Sequence, residues 1–404
     1  MNSTPANPAA PIPPWRIFVA FLTMGVTAFG GPVAHIGYFR TEFVERRKWV
    51  DADQFQDLIA LCQFLPGPMS SQVGIAIGIL RGRMFGGVAA WLGFTAPSAI
   101  LMIGLGVGTN LFDNGLPVSL VHGLKLAAVS IVAWALWQMA RTSCTDFIRS
   151  ALAVAACTVM LFTNLVWIQI AVIAGAALAG RVLIKPDGAP VSASETVPLS
   201  RTFGMVSAGI LVGALIALPI VASFASLGEL DVFSSFFRVG SLVFGGGHVV
   251  LPLLQAEVVP PGWVDGDTFL AGYGAAQALP GPMFAFAGYL GAVAAPGGGV
   301  AAGWPGGLIA LIGIFLPSFL ILTAALPYWQ VLRAKPALRT SLAGVNAAVV
   351  GLLLAVFINP VVVSSVLAPA DLAIVLVGVA LLAWRQIPVW LIVVLSASAG
   401  TALA

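Results

Sequence analysis

The residues of this sequence best suited to bind something sit in two breaks, each written twice. Phe29-Gly30-Gly31-Pro32, with His35 close behind, recurs as Phe244-Gly245-Gly246-Gly247 with His248. Gln63 followed by Leu65-Pro66-Gly67-Pro68-Met69 recurs as Gln277 followed by Leu279-Pro280-Gly281-Pro282-Met283. Gly67 and Gly281 permit a tight turn, and Pro68 and Pro282 are suited to the first helical position, where proline forgoes no internal hydrogen bond. A helix opened in this way presents unpaired backbone N–H groups and the positive end of its dipole, which together favour an anion. Gly31-Pro32 and Gly246-Gly247 predict two further openings beside Gly30 and Gly245. Gln63 and Gln277 would add neutral hydrogen bonds, or satisfy the broken backbone. His35 and His248 would contact the anion, carry a proton, or simply pack.

Two basic residues complete the candidate set. Lys125 and Arg238 are the only cations the apolar pattern places at membrane depth, and no Asp or Glu is expected deep in any segment, whereas a cation pathway would call for carboxylates. Arg238 would offer a planar fork to oxyanion oxygens and Lys125 a point charge; the alternative for both is snorkelling to the interface. Glu42 and Glu257 fall at hairpin ends, Asp53 and Asp267 at helix starts as caps, and Ser70 and Ser71 occur only in the first half. Other chemistries lack their residues. There is no His-Glu-x-x-His, no nucleophile elbow and no phosphate-binding loop, so neither an enzyme, a metal site nor a cofactor is expected. Cys62, Cys144 and Cys157 have no metal or redox spacing.

These residues must be held by a membrane-embedded scaffold. Of 404 residues, 59% are hydrophobic and 8% charged, against about 25% charged for a soluble domain. Apolar stretches follow one another from Trp15 to Ala404, so the main partner is the lipid bilayer. A net charge of +3 without a basic stripe excludes nucleic acid. Residues 1–14 carry five prolines and no charge and read as a disordered, cytoplasmic tail.

The breaks belong to an internal repeat. Glu42 matches Glu257, and Trp49-Val50-Asp51 matches Trp263-Val264-Asp265, at an offset of 214 or 215; further on, Pro97-Ser98 matches Pro317-Ser318 at 220. The chain therefore divides into a first repeat, 15–181, a polar linker with an unpaired apolar helix, 182–230, and a second repeat, 231–404. Basic residues sort oppositely between equivalent loops. Arg40, Arg46, Arg47, Lys48, Arg81 and Arg83 flank the second break of the first half, whereas Arg333, Lys335 and Arg339 fill a loop whose partner, 109–117, has none. By the positive-inside rule the halves are inverted. The expected fold is an all-α polytopic membrane protein of two inverted repeats, each with two broken, re-entrant hairpins and about four transmembrane helices. Nine full spans put the N-terminus inside and the C-terminus outside. Irregular backbone at this depth is tolerated only against protein or a water-lined cavity, and inverted-repeat transporters bind substrate at such breaks.

The duplicated Phe-Gly-Gly and Leu-Pro-Gly-Pro breaks, with the Trp-Val-Asp segment between them, resemble the chromate ion transporter family in its long, two-domain bacterial form. The resemblance covers Trp15 to Ala404. It implies chromate efflux across the bacterial inner membrane and chromate resistance, driven by the membrane potential or the proton gradient. Gly247 stands where the first half has Pro32, and His248 lies two positions nearer its break, so the halves are unequal. Chromate and sulfate share shape and charge, so a sulfate or other oxyanion carrier is the alternative, and an anion channel or sensor a further one. Assembly is open between a monomer and a homodimer.

Overall fold

A computed structural model of the chain describes residues 11–111, 117–163, 166–185, 199–225, 228–244, 247–294, 303–329, 335–384 and 387–403. Among these there are helices and no strand. The protein is an all-α polytopic membrane protein. Among the described residues, five helices are long and apolar enough to cross a bilayer, and several shorter apolar helices accompany them.

In the first half the chain runs through α1 (Pro14–Thr27), α2 (Gly31–Phe39), α3 (Ala52–Phe64), α4 (Met69–Leu111), α5 (Val118–Ser143), α6 (Phe147–Phe162) and α7 (Val166–Leu183). Then come the linker helix α8 (Arg201–Ala225), and α9 (Gly228–Leu242), α10 (Val250–Val258), α11 (Gly266–Ala276), α12 (Phe286–Val293), α13 (Gly303–Ala325), α14 (Pro336–Val356), α15 (Pro369–Ala383) and α16 (Val389–Leu403). α4 is continuous in hydrogen bonding but leaves helical geometry at Gly82 and Arg83, where Arg83 takes φ 55°. The chain reverses there: a Cβ on Gly78 would strike the carbonyl of Gly86. In the second half Gly291 and Gly306 make the same close approach between α12 and α13.

The segments on either side of each Gly-Gly sequence pack against one another. The rings of Phe39 and Phe43, beyond the break, lie 5.5 and 4.5 Å from that of Phe21 on α1. In the second half Arg238 of α9 reaches Glu257 of α10. α11 and α12 fold together likewise, with Phe269 5.3 Å from Phe286 and the Tyr289 hydroxyl donating to the Thr268 carbonyl at 3.3 Å. Apolar faces drive these closures, and Asp51 and Asp265 start α3 and α11 by accepting from Gln54 N–H and Thr268 N–H. The caps are thus Asp51 and Asp265, two positions before the expected Asp53 and Asp267.

The halves interlock. α6 and α7 pack on α14, while α15 and α16 pack on α5, so each pair covers a helix of the other half. Small residues make the contacts close: Gly344 against Ala176 and Gly180, Gly123 against Ala397 and Gly400. α8 lies outside this arrangement, against α13 and α9, with most of its surface exposed.

Candidate functional site

The two kinds of break meet across the halves. Gly67 N–H donates to the carbonyl of Val243 at 2.6 Å, and Gly281 N–H donates to that of Ala28 at 2.9 Å. Each Pro-Gly-Pro turn is therefore clasped to the residue that precedes the other half's Phe-Gly-Gly sequence. Both glycines need their positive φ, 124° and 92°, and a side chain at either would meet a serine of the opposite half, Ser318 at Gly67 and Ser98 at Gly281. One expectation changes here. The Gly67 and Gly281 amides are consumed by the clasps and do not face an anion.

The helix openings follow the sequence pattern with one shift. α2 starts at Gly31 behind Gly30 in the left-handed region. Pro68 and Pro282 precede the first helical residue instead of occupying it, and their carbonyls accept the first turn's bonds, from Gln72 N–H at 2.9 Å and Ala285 N–H at 3.0 Å. Helix geometry leaves the first-turn N–H groups of α4, those of Met69, Ser70 and Ser71, without a partner inside the helix. Gly247 opens a tight three-residue turn before α10; Gly245 and Gly246 lie outside the described residues.

A cavity of about 530 Å³ occupies the space between the breaks. Gly30, Gly31, Pro32, Gln63 and Gly67 line it from the first half, and Gly247, His248, Gln277 and Gly281 from the second. Pro66, Pro68, Pro280 and Pro282 shape the turns behind this wall, Pro66 by accepting from Gln72 Nε2 at 2.7 Å. His248 Nδ1 is held 2.8 Å from the Tyr273 hydroxyl, and Gln277 Nε2 rests 3.4 Å from Met283 Sδ. His35 does not reach the cavity: it is buried, with Nδ1 3.2 Å from Ser70 Oγ.

The remaining wall was not foreseen. Ile131, Trp134, Ala135, Gln138, Met139 and Thr142 form one face of α5, with Ser143 at its end, and Asn346 comes from α14. Their spacing is that of a single helical stripe, and the polar members Gln138 and Thr142 were the available signal. Among the described residues that line it, the cavity holds no Lys, Arg, Asp or Glu.

Arg238 and Lys125 are elsewhere, and this corrects the expectation that they face an anion. Arg238 Nε and Nη2 donate to Glu257 Oε1 and Oε2 at 2.8 and 2.5 Å. Lys125 Nζ donates to Asp267 Oδ1 at 2.6 Å. Three carboxylates, Glu42, Glu257 and Asp371, are buried against protein. A buried charge is retained only with a counter-charge or several hydrogen bonds. Glu42 finds Arg47 and Arg46 at 2.6 and 3.2 Å, and Asp371 finds His122 at 2.8 Å together with the Leu367 and Ala368 N–H groups. Burial pushes the Glu42 carboxyl up, but hydrogen bonds and charge from Arg47 and Arg46 outweigh it and hold the group below its ordinary 4.5.

A family model described as "Chromate transporter" matches residues 15–181 and 230–401. A protein of Synechococcus elongatus named a probable chromate transport protein is 27% identical over 94% of this chain and 93% of its own length. The chromate transport protein of Pseudomonas aeruginosa is 29% identical over 95% of this chain and 92% of its own, and that of Cupriavidus metallidurans 28% over 83% and 80%. No solved structure matches the chain.

Proposed function

The chain belongs to the chromate transporter family, and on that premise we propose that it is a secondary active transporter exporting the chromate dianion from the bacterial cytoplasm, conferring chromate resistance. The observation that carries this reading is the cavity between the clasped breaks, lined from both halves by neutral polar groups and helix openings. Each opening supplies roughly half a positive charge, and neutral amides and hydroxyls replace the hydration shell. Binding by such groups is reversible, which a carrier needs and a tightly ion-paired site would impede. The reading is that of a carrier and not of an enzyme.

The halves are inverted repeats in the inner membrane, with the turned-back breaks as re-entrant hairpins, the N-terminus in the cytoplasm and the C-terminus outside. In this orientation the Gln138–Ser143 end of α5, beside Arg141 and Arg149, is cytoplasmic, so the cavity faces the compartment that loads it. A negative interior drives a dianion outward by about 4.6 kcal/mol per 100 mV, a concentration ratio on the order of 10³. Sulfate presents the same shape and charge to the same neutral lining, so it competes for the site.

Initial-rate uptake of chromate into everted vesicles, with an imposed potential and with excess sulfate, tests the proposal. Saturable, potential-dependent uptake is expected. Verified protein that takes up sulfate but no chromate would transfer the assignment to sulfate carriage.

A further inference from the structure

Beyond Gly82 and Arg83, α4 packs across α13, and each helix carries a Pro-Ser pair, Pro97-Ser98 and Pro317-Ser318. A Cβ built on Gly67 would come within 2.5 Å of Gln72 Nε2 and 2.9 Å of Ser318 Oγ, so the amide and the hydroxyl stand together directly behind the cavity wall. The Trp91 ring lies 5.6 and 5.8 Å from Phe315 and Phe319 of α13, and Thr95 follows one turn later on the same face of α4.

Gln72, Thr95 and Ser318 are at most 1% exposed. Gln72 Oε1, Thr95 Oγ1, Ser318 Oγ and the Trp91 indole N–H nevertheless have no hydrogen-bond partner among the described residues. Leaving one such group unpaired in a closed protein is costly. The repeat-related positions show that the fold does not require them: Gln72 corresponds to Phe286 and Thr95 to Phe315, both fully buried rings. Where the second half has these two rings, the first half has Gln72 and Thr95, polar and buried.

We propose that this side of the α4–α13 crossing is the occluded continuation of the translocation path, a second station for the same tetrahedral oxyanion, reached when the Gly67–Val243 clasp opens. The inference rests on the cargo assigned above. The groups suit that cargo: the indole N–H and two hydroxyls donate, the first-turn N–H groups of α4 lie alongside, and Gln72 Nε2 becomes a further donor once it releases the Pro66 carbonyl. Water satisfies the groups between passages. Gly67 separates the two stations, which gives its lack of a side chain a transport role as well as a conformational one.

The test combines accessibility with turnover. With Cys62, Cys144 and Cys157 replaced by alanine, Ser318→Cys and Thr95→Cys are probed with a membrane-impermeant, anionic thiosulfonate in everted vesicles, beside Gln138→Cys on the cavity wall. Gln138→Cys is expected to react with or without turnover. The other two are expected to react only while chromate is being transported. In otherwise native protein, Thr95→Val and Ser318→Ala should each lower the maximal rate about tenfold, the effect of one lost transition-state hydrogen bond, with little change in half-saturation. Ser98→Ala, whose hydroxyl already donates to the Thr95 carbonyl, should stay near wild type. Unreactive cysteines at 95 and 318 during measured turnover, or wild-type rates in a Thr95→Val, Ser318→Ala double variant, would overturn the second station and leave the cargo intact. Wild-type vesicles that transport no chromate would overturn the cargo reading itself.

Discussion

Replacing Arg238 with alanine separates two accounts of the same residue. The Arg238 and Glu257 side chains are 19% and 9% exposed and joined by two hydrogen bonds, so the variant strands a carboxylate in a nearly dry hairpin. Breaking a buried pair from one side costs about 3–5 kcal/mol, a large part of the total stability of a typical domain. Replacing both partners by apolar residues of similar volume, Arg238→Met with Glu257→Leu, should recover most of it, because the stranded charge is gone. The assay is a double-mutant cycle on apparent unfolding midpoints in detergent, paired with chromate uptake in vesicles at matched folded protein. Arg238→Met and Glu257→Leu alone, like Arg238→Ala, should each unfold several degrees lower and the double variant near wild type, with uptake following folded protein throughout. An Arg238→Ala protein of unchanged midpoint and specifically weakened chromate affinity would refute the structural role and return the guanidinium to the binding site.

Lys125→Met should be milder, lowering stability by about 1 kcal/mol or less in the same unfolding assay, because its partner Asp267 is 62% exposed and can be solvated alone. Gly281→Ala, with φ 92° and a new Cβ 3.0 Å from Ser98 Oγ, should destabilise by about 1–3 kcal/mol and reduce uptake beyond its effect on folded yield, since it strains the clasp. Gln138→Ala and Asn346→Ala should each raise the half-saturating chromate concentration about three- to tenfold, the loss of one neutral hydrogen bond, measured at unchanged midpoint. Glu42, held below 4.5 by Arg47 and Arg46, contributes stability that is fully present above its ordinary value and is lost as pH falls through the lowered one. An acid titration of the midpoint should show that loss, and Glu42→Gln should remove it.

Local signals carried much of this architecture into the sequence. Gly30, Gly67 and Gly281 announce their turns because only glycine adopts those backbone angles without strain, and each is repeated at a fixed offset from its partner break. The composition gave the membrane setting directly, and the duplicated breaks gave the cavity's two ends. The missing parts are contacts between elements. Nothing near Arg238 indicates that α10 folds back to bring Glu257 against it, 19 residues later, or that Asp267 reaches Lys125 from the other half. Gln138 and Thr142 resemble an ordinary polar fringe until α5 is seen to turn that stripe toward the breaks. Gly67 looked like an anion contact because its amide's partner, the Val243 carbonyl, becomes a neighbour only when the halves assemble.

The most direct test of the central claim is radiolabelled chromate uptake into everted vesicles by wild type and by a Gln138→Ala, Asn346→Ala double variant, both normalised to folded protein. Saturable uptake in the wild type, with a half-saturating concentration raised at least tenfold in the variant, is the predicted result, because both amides line the cavity proposed to bind the dianion. Identical saturation curves for the two proteins would contradict it and place the chromate path outside this cavity.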